Sequence, residues 1–141
     1  MLTRRGFAGV VGCAICSLSG FSATEANAQP AAPVTANGVT RQILSRIDGP
    51  VAGYETIIMD VKVDKGISIA RHTHPGIEST VVMEGSIELP VQGRDTKVMK
   101  KGDAFQVPPE TPHAGGKPRD EDVRLLVNYI VEKGKPLATP A

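Results

Sequence analysis

Tryptophan is absent from this sequence, and other aromatic residues are few: three phenylalanines and two tyrosines in 141 residues. Single-stranded nucleic acids stack on exposed aromatic rings, so this composition argues against a base-stacking surface. It also argues against a sugar site built on tryptophan. An excess of one charge is missing too, because 16 basic and 15 acidic residues give a net charge of +1. Such a balance gives no electrostatic indication of a nucleic-acid partner or an anionic membrane.

The first residues have the pattern of an export signal. Arg4 and Arg5 precede an apolar, uncharged run over residues 6–23, and small residues follow as far as Ala28. This order is typical of a cleavable signal peptide, so we predict one over residues 1–28. The paired arginines, with a phenylalanine two positions on, resemble a twin-arginine signal, which exports folded proteins. The mature protein is then expected to be periplasmic or secreted, without membrane attachment.

Cysteine is scarce, and its two copies, Cys13 and Cys16, lie in this apolar run. Their spacing is compatible with a redox or metal site, and the residues before Cys13 weakly match a lipoprotein cleavage site. The simpler interpretation is that both cysteines are small side chains in the apolar core of a signal peptide. A general secretory signal and an uncleaved anchor stay open, although the run is short for a span of about 20 strongly apolar residues. The predicted mature chain has no thiol.

The rest of the chain is predicted to be one domain of β-strands. Its length fits a single domain, and 15 glycines with 11 prolines suit many short strands joined by turns. Residues 29–40 lack periodicity and are rich in Pro, Ala and Thr, so we expect a flexible N-terminal arm there. Residues 41–135 are expected to form the folded domain. No amphipathic helix of about ten residues is evident.

Three stretches, residues 57–63, 81–89 and 123–131, alternate apolar and other residues in the manner of β-strands with one face on a core. The third is apolar on both faces, which favours a strand inside a sheet rather than at its edge. The pattern predicts an all-β sandwich or barrel. The alternating apolar positions are Ile57, Met59, Val61 and Val63; Val81, Met83, Ile87 and Leu89; and Val123, Leu125, Val127, Tyr129 and Val131.

The protein has only three histidines, and their spacing suggests a metal site. His72 and His74 are two residues apart, so on a strand both side chains project from the same face. Glu78 follows after a Pro-Gly turn, and His113 follows a later Pro-rich turn. Imidazoles with a carboxylate suit Mn, Fe, Co, Ni, Cu or Zn better than Mg or Ca. A His-x-His pair alone is also common without a metal, so the surrounding residues matter.

Those surroundings resemble the two motifs of the cupin family. Residues 66–85 read Gly, five residues, His72, one, His74, three, Glu78, six, Gly, which resembles the first motif at every fixed position. From Gly102, five residues lead to a proline, and His113 stands where the second motif has its histidine. The resemblance implies a double-stranded β-helix, or jelly-roll barrel, in which His72, His74, Glu78 and His113 bind one divalent metal.

Two positions of the second motif depart from the family pattern. Glu110 stands in place of a glycine, and Lys117 in place of an asparagine. Glycine would there supply a turn with positive φ, which glutamate adopts less easily. We therefore expect the turn before His113 to differ in shape while the ligand set is kept. A catalytic role for Glu110 is possible, but a solvated turn carboxylate is the simpler interpretation.

The resemblance allows dioxygenases, decarboxylases, isomerases, lyases and non-catalytic binders, since a fold does not fix a reaction. We expect a metal-dependent enzyme of the dioxygenase or decarboxylase type, with Glu78 as a ligand that also moves a proton. The alternative is a periplasmic binding or sensing protein.

Export of a folded protein would let the metal be bound in the cytoplasm. This favours Mn or Fe over the tighter-binding Ni, Cu or Zn, which stay possible. A small-molecule substrate and a homodimer are expected. Candidates for the barrel lining are Tyr54, Met59, Phe105 and Tyr129, although a place in the core or in an interface is the simpler interpretation of each.

Overall fold

The computed structural model describes residues 30–118 and 120–141, so the predicted signal peptide and both cysteines lie outside the described part. The described residues form ten β-strands and no helix, as the alternating pattern predicts, and hence none that could span a membrane. The strands are β1 (Val34–Ala36), β2 (Val39–Asp48), β3 (Tyr54–Val63), β4 (His72–Thr73), β5 (Gly76–Glu84), β6 (Ser86–Leu89), β7 (Lys97–Lys100), β8 (Ala104–Val107), β9 (Val123–Glu132) and β10 (Thr139–Pro140).

The strands form two layers of antiparallel sheet. The large sheet has six strands in the order β1-β2-β3-β9-β5-β8. The opposite layer contains the pairs β10-β4 and β6-β7, and residues 113–118 join them. His113 forms bridges with both His72 and Val91, while Pro118 forms one with Ile87. This segment therefore acts as the middle strand of the small layer, although it is too irregular to be a continuous strand.

The hydrophobic core fills the space between the layers, and alternation along β3 and β9 supplies much of it. The inward positions of β9 are all buried, as are those of β3 from Ile57 onward, while Ile58 and Asn128 face outward. β9 lies between β3 and β5, which confirms the prediction that it is an interior strand. The buried apolar positions of these two strands are Ile57, Met59, Val61, Val63, Val123, Leu125, Val127, Tyr129 and Val131.

The face predicted for Val81 and Met83 is wrong. Both side chains are exposed, at 38% and 40%, whereas Val82 is buried. Glu78 and Val82 share the inward face of β5, so the odd-numbered positions point outward. A register shift between Val82 and Glu84 then changes which face is inward, and Ile87 in β6 is buried. A bulge of this kind cannot be read from a period-two pattern.

The segment predicted as a flexible arm contains a strand. β1 pairs with the start of β2, and the turn between them consists of Asn37 and Gly38, with φ of 50° and 74°. Positive φ at both central residues matches the twist of a two-residue hairpin, for which Asn-Gly is the preferred sequence. At the other end, β10 pairs with β4, so ordered pairing extends past the predicted domain boundary at residue 135.

Candidate metal centre

The two layers each contribute to one cluster of polar side chains. His72 lies in β4, His74 follows directly after it, and His113 lies in the joining segment of the small layer. Glu78 lies on the inward face of β5 in the large sheet. His72 and His113 are directly opposed, because each backbone N–H donates to the other's carbonyl, at 2.8 and 3.0 Å. This backbone pairing therefore fixes the backbone positions that carry two of the three imidazoles.

The four side chains converge through one atom each. His74 Nε2 and His113 Nε2 lie 2.9 and 3.1 Å from Glu78 Oε2, and His72 Nε2 lies 3.1 Å from His74 Nε2. His74, Glu78 and His113 are buried and His72 is half-buried. Metal–ligand bonds of about 2.0–2.2 Å at right angles place neighbouring donor atoms about 3.0 Å apart. The spacing of these atoms therefore fits one transition-metal ion.

Each imidazole is oriented through its other nitrogen. His72 Nδ1 lies 2.7 Å from the carbonyl of Ala70, and His113 Nδ1 lies 2.9 Å from that of Thr111. His74 Nδ1 lies 2.5 Å from the carbonyl of Leu137. A carbonyl only accepts, so each Nδ1 carries a proton and donates it, which directs the Nε2 of each ring toward the cluster. A metal bound at these Nε2 atoms would replace the hydrogen bonds that His74 and His113 make to Glu78 Oε2.

The carboxylate of Glu78 is held in the same way. Thr80, two residues on along the same face, donates its hydroxyl to Oε1 at 2.7 Å, so Oε2 faces the imidazoles. Burial by itself would raise the pKa of Glu78, but hydrogen bonds from His113, His74 and Thr80 outweigh it and hold that pKa well below its usual range. Glu78 is therefore ionised at neutral pH and supplies the negative charge that a divalent cation requires.

Two of the imidazoles have pKa values shifted in opposite directions. Burial lowers the pKa of His72, and the neighbouring imidazoles of His113 and His74 add to the effect. Burial also acts to lower the pKa of His113, but hydrogen bonds with Glu78 and with the carbonyl of Thr111 raise it above its ordinary value. The difference arises because His113 contacts the carboxylate, whereas His72 contacts an imidazole.

This geometry agrees with what sequence comparison finds. Residues 59–129 match the family model described as "Cupin_2: Cupin domain". This chain belongs to the cupin family. No curated protein sequence matches the chain. The cluster of three histidines and one glutamate is typical of the single metal site of cupins, which makes it the candidate metal centre.

Solved cupin structures share the fold at low identity. The polyketide cyclase RemF from Streptomyces resistomycificus is 25% identical, with 74% of this chain and 71% of that chain covered and a TM-score of 0.58. An RmlC-like cupin from Shewanella frigidimarina is also 25% identical, covering 70% and 81%, with a TM-score of 0.58. The DMSP lyase DddQ from Ruegeria pomeroyi is 21% identical, covering 61% of this chain but only 43% of that one, with a TM-score of 0.57.

The metal centre lies in the wall of a cavity of about 80 Å³ between the two layers of the cupin. Met59, Phe105 and Tyr129 line this cavity, as expected from the sequence, whereas Tyr54 does not. The ring of Tyr129 packs on His74, with centroids 4.8 Å apart, and burial raises the pKa of its phenol. Apart from the metal centre, Tyr129 and Arg41, the lining is apolar, which limits water around any bound molecule.

Arg41 also lines the cavity, which was not predicted from the sequence. It lies on β2, two residues after the buried Val39, so the two share a face of the strand. A single arginine among alternating residues of a predicted strand carries no motif. The sequence offered one indication: Arg41 is a charged residue on the same face of the strand as the apolar Val39.

The two departures from the cupin pattern leave the four candidate ligands together. Glu110 has φ of 53°, so it adopts the left-handed conformation that the family's glycine would supply, and the expected change in turn shape is not observed. Its N–H donates to the carbonyl of His74 at 3.0 Å, which holds the turn against that ligand. Glu110 and Lys117 are both exposed, and neither lines the cavity.

Proposed function

We propose that this cupin is an exported, metal-dependent enzyme that acts on a small organic molecule, in a reaction of the dioxygenase or decarboxylase type. One observation carries the proposal: the atoms of His72, His74, Glu78 and His113 that a metal would use converge at the wall of an apolar cavity. Three ring nitrogens and one carboxylate oxygen leave coordination positions open for a substrate. Similarity to a protein named as a polyketide cyclase supports a catalytic role.

The protein's own residues prepare the site in three ways. The carbonyls of Ala70, Thr111 and Leu137 fix the imidazoles so that each Nε2 faces the position a metal would occupy. Thr80 holds one oxygen of Glu78, and the apolar lining restricts water. A bound transition metal would supply Lewis-acid activation, or electron transfer to dioxygen.

Glu78 is proposed first as a ligand and second as a group that moves a proton at Oε2. Its lowered pKa suits the first role better, because a strongly ionised carboxylate is a weak base. To move a proton at Oε2, Glu78 would first have to detach from the metal.

We propose Mn or Fe as the native metal, with Ni, Cu and Zn as the alternatives. The set of three imidazoles and one carboxylate accepts all of them, and affinity in general rises toward Cu. The preference for Mn or Fe therefore depends on the protein binding its metal before export. Elemental analysis of the protein purified from its native compartment tests this, and stoichiometric Cu or Zn would reverse the assignment.

The proposed function is tested by metal content and turnover in matched variants. His72→Ala and His113→Ala should each lose the metal and all activity, because each removes one ligand. Glu84→Gln changes an exposed carboxylate at the end of β5 and should leave both unchanged. Turnover in protein shown to be metal-free would contradict the proposal.

The second candidate is a non-catalytic cupin that binds or senses a small molecule in the periplasm, since the same metal centre and apolar cavity could hold a ligand without turning it over. Screening oxygen uptake with small phenols, diketones and dicarboxylates separates the two. Consumption of oxygen, or release of carbon dioxide, supports the enzyme. A ligand-induced rise in Tm with neither product supports the binding protein.

A further inference from the structure

A second chamber, of about 350 Å³, lies next to the cavity of the metal centre. Arg41, Ile69, His72 and Ala138 line both spaces. The wall between the cavity and the second chamber thus includes His72, a candidate metal ligand, and Arg41, a cation to which no role has yet been given. A molecule placed in the outer chamber would reach the metal centre past these two side chains.

The outer chamber is positively charged. Its lining contains two arginines, Arg41 and Arg71, and the described residues place no aspartate or glutamate in it. Arg71 Nη2 donates to the side-chain oxygen of Gln92 at 2.9 Å, which holds one guanidinium at the rim. In a concave space with low-dielectric walls, unopposed positive charge raises the local concentration of anions.

Of the two arginines that line this chamber, Arg41 is the one without a side-chain partner among the described residues. Within residues 30–118 and 120–141 it has no ion pair and no side-chain hydrogen bond, unlike Arg46 on the same strand, which lies 3.5 Å from Glu55. A guanidinium presents donors in a planar fork that matches the two oxygens of a carboxylate. Arg41 is exposed, so water solvates its guanidinium at the entrance of the otherwise apolar cavity until a ligand takes the place of that water.

We propose that Arg41 binds the carboxylate group of the substrate, with Arg71 adding positive charge, so that the remainder of the molecule extends into the cavity beside the metal centre. This inference rests on the proposed function and narrows the substrate to small organic acids. A carboxylate fits better than a phosphate, because one planar fork is available and the inner cavity is small and mostly apolar.

Calorimetric binding to the metal-loaded protein tests the assignment without any assay of activity. Succinate and propionate are compared with their neutral amides and with inorganic phosphate, on the wild type and on Arg41→Gln. The metal can hold a carboxylate in both proteins, so the difference between them isolates the guanidinium. Arg41→Gln should bind the acids about tenfold more weakly or worse. Arg41→Lys should recover part of the loss, and the wild type should lose more affinity than Arg41→Gln when salt is added.

Arg46→Gln is the matched control, since it removes an arginine from β2 away from both spaces and should bind the acids as the wild type does. Equal affinity of Arg41→Gln and wild type overturns the assignment. So does binding of the amides or phosphate in preference to the acids, loss of metal from Arg41→Gln, or no binding of any acid to the wild type. If His113→Ala keeps its metal, the proposed metal-dependent function is contradicted. That result leaves the comparison of Arg41→Gln with the wild type unaffected, so the two proposals can fail separately.

Discussion

Thr80 orients the carboxylate that completes the candidate metal centre. Its hydroxyl donates to Glu78 Oε1 at 2.7 Å, and its side chain is 1% exposed. Thr80 is not a ligand, so its effect on the metal is exerted through Glu78. Partners of this kind commonly change metal affinity by about 10–100-fold.

Thr80→Val should therefore weaken metal binding by about tenfold or more. It should also lower the free energy of unfolding of the metal-free protein by about 1–3 kcal/mol, because a buried carboxylate oxygen loses its donor. Metal titration and urea denaturation measure the two effects. Thr80→Ser keeps the hydroxyl and should retain metal affinity; equal affinity of Thr80→Val would show that the hydrogen bond does not support the site.

Glu110 occupies a backbone conformation that its side chain does not favour. A non-glycine residue in the left-handed region costs about 1–2 kcal/mol, and Glu110 has φ of 53°. Glu110→Gly should remove this conformational strain. Glycine also gives the unfolded chain more freedom, which offsets about 0.4–1 kcal/mol of the gain. We expect a net gain in the free energy of unfolding of roughly 0.5–1 kcal/mol by urea denaturation. Glu110→Ala keeps the strain and should show no gain, whereas destabilisation by glycine would mean that the carboxylate matters.

At the scale of the element, the segment over residues 113–118 depends on a glycine. A Cβ on Gly116 would lie 1.4 Å from the carbonyl oxygen of Glu88, so the backbones of the small layer are in direct contact there. Gly134 has a similar φ, 77° against 63°, but a Cβ there would meet nothing within 4 Å. Substituting alanine at Gly116 and at Gly134 therefore distinguishes the effect of a steric clash from that of conformational strain alone.

Gly116→Ala should lower the free energy of unfolding by about 3 kcal/mol or more and reduce metal content, because this segment holds His113. Gly134→Ala should cost only about 1–2 kcal/mol and leave metal content unchanged. Thermal unfolding and elemental analysis of both proteins check this. Equal losses in the two variants would contradict a packing role for Gly116.

Strands with strict alternation could be predicted from the sequence, and those with an irregularity could not. β3 and β9 follow their apolar pattern throughout, since each is paired on both sides with little interruption. The face of Val81 was wrong because the bulge before Glu84 shifts the parity. The hairpin at Asn37 was missed although Asn-Gly is a strong local signal. Arg41 could not be found, because cavity lining depends on how the two layers meet.

The whole molecule is expected to depend on its metal for stability. An ion that binds only the folded state adds about 2.7 kcal/mol when its free concentration is 100 times its Kd. Removing it with a chelator should therefore lower the Tm by roughly 10 °C. Differential scanning fluorimetry of loaded and stripped protein measures the change. The Tm of His72→Ala should change little when the chelator is added. An equal Tm for the loaded and stripped wild type would argue that no metal binds the site.

The assembly expected from the sequence is a homodimer, and the outer face of the large sheet is the surface that suits it. Ile58, Ile77, Val81 and Met83 are between 38% and 40% exposed there. We predict a mass of two chains by light scattering. Ile58→Lys with Val81→Lys should give a monomer that keeps its metal, whereas replacing the exposed Val51 in a loop should change nothing. A monomeric wild type would contradict the prediction.

The three imidazoles differ in when they can be oriented during folding. His72 and His113 each use a carbonyl two residues away, whereas the carbonyl that holds His74 lies 63 residues further along the chain. A partly folded chain can therefore present two prepared imidazoles, and an ion held by so few ligands exchanges readily. Docking of Leu137 would end that exchange. If the folded protein is exported, as proposed, Leu137 docks before export, so we expect the bound ion to be the one selected in the cytoplasm.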